Sequence, residues 1–346
     1  MMDTSDQLHL LFLKWSDPRV EPAWKSMETG GLFPFLHYDY LRYTARFTRR
    51  TKPLYRIRVA CVVRGEEFLM MVALKGSFDG KYWKMLGDIQ GCDIADALWK
   101  PSLTEEQRRE LADFFYRQVP RVMKLHRIPS ESPLVARVPS ERVATLHPET
   151  YVRVTVPDDP DTLLKSLSSS VRQNIRTAYN RMKRDGVEVR LEVFDEEHRV
   201  SGEVWQKIMD LYFDRLFSKY RSRQVRSWWG RRKKRHLYYH VKHDTLSLRD
   251  LPNAFHAVLW SGEKVIAFMS GFKTHDGKTV SIPRLAIDTS FGFYSPGYVL
   301  VTEVIRYIAA HPVLQVLDLS RGDEKYKFDM GGQPYTTTDV DLKAIG

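Results

Sequence analysis

The chain has 346 residues, 43% of them hydrophobic and 28% charged, a globular composition long enough for two domains. Its net charge of +11 suits anionic partners such as nucleotides, tRNA, acidic glycans or a membrane surface, and by itself selects none of them. Two cysteines, Cys61 and Cys92, allow no disulfide framework beyond one bridge and no Cys/His zinc module, and both read as buried free thiols.

The short apolar patch Leu8 to Leu13 follows Asp3 and Asp6 and has no basic segment before it, so it does not read as a signal peptide. No apolar run reaches membrane-spanning length, and the expected location is the cytoplasm. Phe33 to Phe47 carries apolar and aromatic residues at helical spacing. Leu54 to Val63 and Phe68 to Leu74 read as a hairpin across Arg64-Gly65-Glu66, with Tyr82 to Leu86 a third strand. Leu103 to Leu125 reads as one helix, started by a capping box at Thr104. The Pro- and Ser-rich stretch Arg127 to Pro160 reads as short strands and a link.

The order then repeats at greater length. Asp161 to Asp185 reads as a helix stopped by Gly186, Val187 to Phe194 as a strand and Glu196 to Phe217 as a long helix. Arg231 to Ser247 reads as another helix. Ala254–Trp260, Lys264–Lys273 and Thr279–Ile287 read as strands, Asp288 to Tyr294 as a loop, Pro296 to Ala310 as a helix and Val313 to Leu319 as a strand. The pattern predicts two related α/β units with mixed sheets, over 1–150 and 151–346.

Two clusters carry candidate chemistry. Ser295-Pro296-Gly297-Tyr298 opens a helix. Its free N–H groups and positive dipole end suit a pyrophosphate, and the same residues equally suit an ordinary N-cap at Ser295. After the next strand comes Asp318-Leu319-Ser320-Arg321-Gly322-Asp323-Glu324-Lys325-Tyr326-Lys327-Phe328. Ligands bind at the carboxyl ends of strands in open α/β sheets. There Asp323 or Glu324 can take a proton from an acceptor, and Tyr326 can return one to a leaving group; the same residues also suit a solvated turn whose charges pair locally.

These two clusters resemble the GNAT-fold acetyltransferases associated with bacterial cellulose and exopolysaccharide biosynthesis, which are similar in turn to Fem-type peptidyltransferases with two tandem GNAT-like units. The matching residues are Ser295, Pro296 and Gly297, then Asp318, Gly322, Asp323, Glu324, Tyr326 and Lys327. An upstream Arg172-Gln173-Asn174 stands where the family has an Arg-Arg-Asn-like cluster. The resemblance covers about 150–330; the first 150 residues match only in element order.

The resemblance implies an acyl-CoA-dependent N-acyltransferase acting on an amine or hydroxyl of a small-molecule or glycan acceptor, with no metal. Ser295, Pro296, Gly297 and Tyr298 would hold the CoA pyrophosphate. Asp323, Glu324, Tyr326 and Asp288 would be catalytic, and Arg172, Asn174, Arg321 and Lys327 would contact substrate. The helix start is poorer in glycine than the usual GNAT pyrophosphate loop, so an aminoacyl-tRNA donor, as in Fem-type enzymes, and a non-catalytic binding module stay open. Lys219 to Lys242 is basic and aromatic without an acidic residue. It fits a tRNA or other anionic surface, and equally a solvated helix with an apolar stripe. His236 and His240 have metal-ligand spacing but no acidic partner.

Overall fold

A computed structural model describes residues 7–87, 93–119, 122–222, 232, 249 and 251–345. The basic segment from 223 onward, with His236 and His240, lies outside the described residues apart from single positions, as does Cys92. The chain separates into two compact units, 1–150 with 336–346, and 151–335.

The first unit begins with β1 (Leu8–Lys14), α1 (Val20–Met27) and α2 (Tyr38–Thr51). Then follow β2 (Arg56–Arg64), β3 (Glu67–Gly76), β4 (Tyr82–Met85), the short β5 (Leu98–Trp99) and α3 (Glu105–Gln118). β6 (Val122–Pro129), α4 (Pro133–Ala136) and β7 (Val143–Thr155) complete the run to the second unit. Strands β1-β2-β3-β4-β6 are adjacent in that order, antiparallel except for the parallel pair β4 and β6. Alternate residues of a strand face opposite sides, so the unbroken apolar run in β2 implies a sheet covered on both faces. Ala60 and Val62 pack with Phe115 of α3, while Val59 and Cys61 pack with Trp24 and Leu41 of α1 and α2.

The helix expected over Leu103 to Leu125 stops at Gln118 and β6 follows. Pro120 is the reason: the residue before a proline is driven from helical geometry, and Val119 is extended at φ −96°, ψ 97°.

In the second unit come α5 (Pro160–Ser166), α6 (Ser169–Arg184), β8 (Arg190–Phe194) and α7 (Gly202–Ser222). Next are β9 (Ala254–Ser261), β10 (Lys264–Lys273), β11 (Thr279–Ile287), α8 (Pro296–Ala309), β12 (Val316–Arg321), α9 (Lys325–Asp329) and β13 (Gln333–Leu342). The helix expected over Asp161 to Asp185 is two helices, because Ser168 caps a new start at Val171 N–H. Strands β8-β9-β10-β11-β12 are adjacent in that order, again antiparallel except for one pair, β11 and β12. Each unit therefore places one helix, α3 or α8, as the crossover between its two parallel strands. This shared topology is the repeat that the element order anticipates. The returning strand β13 pairs with β6, so residues 336–346 belong with the first unit.

One face of the second sheet packs Phe255, Ala257, Ala267, Met269 and Ile282 against α6 and α8. The other face meets α7, where Trp205 contacts His256 and Tyr212 contacts Phe268. Gly271 lies where β10 and β11 slip register; a Cβ there would fall 1.8 Å from the Ser281 carbonyl oxygen. Only a glycine fits that approach.

Candidate active site

Parallel strands β11 and β12 pair at Thr279, Val280 and Ser281 alone, although β11 continues to Ile287. Beyond Ser281 the carboxyl ends of the two strands lead separately into α8 and α9, which is where an open α/β sheet receives ligands.

The α8 start is shaped for an anion. Pro296 occupies the first turn, where its missing N–H costs no hydrogen bond. No acidic residue lies in that turn, and no side chain caps it. The Ser295 side chain is thus not the N-cap acceptor that its position suggests; the residue sits at φ 49°, ψ 52°, left-handed, with its N–H on the Gly292 carbonyl. Gly297 has room around it, since a Cβ would come no nearer than 3.6 Å to Ile287. The loop before α8 is held by α6: Arg181 donates to the Phe293 carbonyl at 2.8 Å, and the Tyr294 hydroxyl donates to Asp185 at 3.1 Å.

The corresponding crossover helix of the first unit is the opposite. Thr104 accepts from Gln107 N–H, Gln107 accepts in return, and Glu105 and Glu106 fill the first turn. That start is capped and negative, and repels an anion.

At the end of β12, Asp318 is buried and organises the turn. Its carboxylate accepts from Ser320 N–H at 2.8 Å and from the Tyr335 hydroxyl at 2.7 Å. Ser320, like Ser295, is left-handed at φ 60°. Two of the three described non-glycine residues with positive φ thus sit at the two strand exits of this site, and each costs on the order of 1–3 kcal/mol of strain.

The two clusters are joined. The Tyr298 hydroxyl, in the first turn of α8, donates to Asp329 of α9 at 2.8 Å, and Lys325 donates to the other oxygen of Asp329 at 2.5 Å. Burial and the Asp329 carboxylate push the Tyr298 phenol up to about 12. Its side chain is therefore tied to α9; of its neighbours, Ser295 and Gly297 are partly exposed and Pro296 is buried. Asp329 carries no motif signal; only the spacing of Lys325 and Asp329 is legible in sequence, and the bond to Tyr298 is tertiary.

The other expected site residues divide. Asp323 and Glu324 are exposed at the β12 exit. Tyr326 is half-buried, its hydroxyl has no hydrogen-bond partner among the described residues, and burial and the nearby Glu324 charge push its phenol well above the usual tyrosine range. Lys327 turns inward, at 2% exposure. Its ammonium donates to the carbonyls of Ser320, Arg321 and Gly322 at 3.0, 2.6 and 3.1 Å and pairs with Glu324 at 3.1 Å. It is a clasp for the turn, with its donors already used. Arg321 is exposed at the strand end.

Asp288 is also committed. It accepts from Ser290 N–H at 2.8 Å and pairs with Lys264 at 2.7 Å. Burial raises its carboxyl, but the Lys264 and Ser290 hydrogen bonds outweigh that and hold it below the usual carboxylate value. Arg172 lines an open groove with Lys165, Arg176, Tyr179 and Arg306, along the flank of α8 and away from its start. Asn174 is exposed and points elsewhere, because residues two apart on a helix do not share a face. Among the described residues, no group of three His, Cys, Asp or Glu is placed to hold a metal, and no helix is long and apolar enough to cross a membrane.

Residues 169–328 match the family model of the acetyltransferase (GNAT) domain. No curated protein matches the chain. Among solved structures, a conserved protein of unknown function from Bacteroides thetaiotaomicron VPI-5482 is 15% identical, with 97% of this chain and 100% of that one covered at a TM-score of 0.54. A tandem GNAT protein from the clavulanic acid biosynthesis pathway is 12% identical, with 98% and 99% covered at 0.52. FemX is 10% identical, with 96% of each chain covered at 0.54. At these identities the likeness concerns fold. The second unit is a GNAT-fold, acetyltransferase-like domain, and the whole chain shares its fold with tandem GNAT proteins.

Proposed function

We propose that the second unit is an acyltransferase that moves an acetyl or other acyl group from acyl-CoA to an amine or hydroxyl acceptor. One observation carries this reading: the crossover helix of the second unit starts uncapped and free of acid at the strand opening, while its counterpart in the first unit is capped and acidic. The residues present fit the donor. Backbone N–H groups at the start of α8 would take the pyrophosphate, and Gly297 leaves the approach clear.

The acceptor nitrogen or oxygen attacks the thioester carbonyl carbon, a C–N or C–O bond forms, and the C–S bond breaks. The proton released by the acceptor goes to the exposed carboxylate of Glu324 or Asp323, directly or through water. The leaving thiolate takes the Tyr326 hydroxyl proton, which solvent restores. Such a direct transfer rests mainly on holding two substrates together. The motif resemblance supports an acceptor from polysaccharide or cell-envelope assembly.

Titration with acetyl-CoA tests the donor: binding at micromolar affinity raises the melting temperature by mass action. If several acyl-CoAs give no shift while aminoacyl-tRNA binds with steep salt dependence, the donor is a charged tRNA and this reading is wrong.

A further inference from the structure

On the face of the second sheet turned away from α8, three neighbouring strands present a row of buried polar side chains. Ser270 of β10 lies opposite His256 of β9 on one side and opposite Arg284 of β11 on the other. Exposures are 3%, 1% and 3% respectively. Trp205 of α7 closes over His256 with ring centroids 5.1 Å apart, and the Tyr212 ring centroid lies 5.8 Å from the Arg284 guanidinium carbon.

Among the described residues this row makes one side-chain hydrogen bond, between His256 Nδ1 and Ser270 Oγ at 2.7 Å. Among the described residues Arg284 Nε, His256 Nε2 and Trp205 Nε1 are all buried without a partner. Nor does Arg284 have a carboxylate in ion-pair range among the described residues. A buried guanidinium Nε–H without an acceptor, on a side chain with no counter-charge in range among the described residues, is costly for a core to hold. Buried donors in native proteins find acceptors in protein, water or ligand.

We infer that this row binds the carboxylate of the acceptor substrate, with Arg284 as its counter-charge and His256 and Trp205 as further donors. With Ser270 donating to His256 Nδ1, the opposite nitrogen carries the hydrogen. Burial and the Arg284 charge hold the His256 imidazole neutral, at about 3. The guanidinium edge, the imidazole and the indole then supply donors alone, and a carboxylate supplies acceptors alone, on two oxygens with about four lone-pair sites. One buried positive charge balances one negative charge; a phosphate dianion would leave an excess. Arg284 stands three residues before the end of β11, roughly 10 Å from the strand exit, a distance that a small acceptor bridges. The inference rests on the acyltransferase reading for the word acceptor, and on Arg284 alone for the anion.

The test is calorimetric titration of the full chain with acetate, L-lysine, L-glutamate and D-glucuronate, beside L-lysinamide and D-glucuronamide. At least one acid is expected to bind and its amide not to bind. An amino acid or the sugar acid identifies the source of the carboxylate. Arg284→Met should weaken that binding about 100-fold, as loss of a charge-assisted bidentate contact does, and leave acetyl-CoA affinity unchanged. Its unliganded melting temperature should equal or exceed that of the wild type, because an unpaired buried charge has gone.

Acids and amides binding alike, or none binding at millimolar concentration, would overturn the inference and leave a hydrated structural arginine. If Arg284→Met fails to fold, the acid-against-amide comparison on the wild type still decides. Carboxylate binding without acyl-CoA binding sinks the donor reading alone; acyl-CoA binding without carboxylate binding sinks this inference alone.

Discussion

Tyr298 and Asp329, 31 residues apart, share a 2.8 Å hydrogen bond that fastens the first turn of α8 to α9. Tyr298→Phe should cost about 1 kcal/mol of stability, the usual worth of one such bond. It should also weaken acetyl-CoA binding severalfold by loosening the helix start. Thermal unfolding and calorimetry read both; an unchanged affinity would show that the tie is purely structural.

The same bond sets a limit in acid. Hydrogen bonding from Lys325, against burial and helped by Tyr298, lowers the Asp329 carboxyl below its ordinary 3.8. A depressed native value means that the native state holds its proton less tightly than the unfolded chain. The contribution is therefore complete above pH 3.8 and is lost as pH falls through the lower native value. Asp329→Asn should flatten the stability curve in that acid window alone, as followed by urea midpoints from pH 5 downward.

Exchanging the chemistry of the two crossover helices separates their roles. Gly297→Asp places a carboxylate where α8 would meet pyrophosphate and has open space to occupy. It should abolish measurable acetyl-CoA binding while the melting temperature moves little, since like charges brought together cost several kcal/mol. Thr104→Ala removes the capping box of α3 and should cost about 1 kcal/mol without touching acetyl-CoA affinity. Normal acetyl-CoA binding by Gly297→Asp places the donor elsewhere.

Tyr326 offers a kinetic test. Its phenol is raised above the usual tyrosine range by burial and the Glu324 charge, so it is protonated at neutral pH and has a proton to give, though as a weaker acid than a free phenol. Tyr326→Phe should lower kcat by roughly 10²-fold or more, the lower range for a general acid, with KM for acyl-CoA unchanged. An equal loss in kcat/KM and in binding would instead mark a packing residue.

Lys327 should behave as a stability residue. Lys327→Met leaves the carbonyls of Ser320, Arg321 and Gly322 without their shared donor and should cost about 3 kcal/mol or more. A well-folded variant that has lost only acceptor affinity would return Lys327 to the substrate.

Several of these features are legible before any fold is known. The bounds of β10 and β11 follow from the sequence, because Ser261-Gly262-Glu263 and Asp288 punctuate long apolar runs. The capping box of α3 is equally plain, and so are the two clusters that flank the opening. Their union is not, since it depends on the crossover that lays α8 beside α9. The inward turn of Lys327 is hidden too: a lysine after a strand reads as solvent-facing, and only the left-handed Ser320 beside it creates carbonyls to clasp. Arg284 escapes notice because a lone arginine in a strand looks like a surface position. β13, with its threonines and aspartates, has no apolar run to announce it.

That last strand has a consequence for how the molecule is made. Residues 336–346 finish the first unit's sheet by pairing with β6, yet the ribosome delivers them only after the whole second unit. During synthesis the first unit waits with the β6 edge uncovered until those residues emerge. The unit whose strands come earlier in the chain is thus the later to be completed, and nascent chains halted before residue 336 should expose that edge to aggregation.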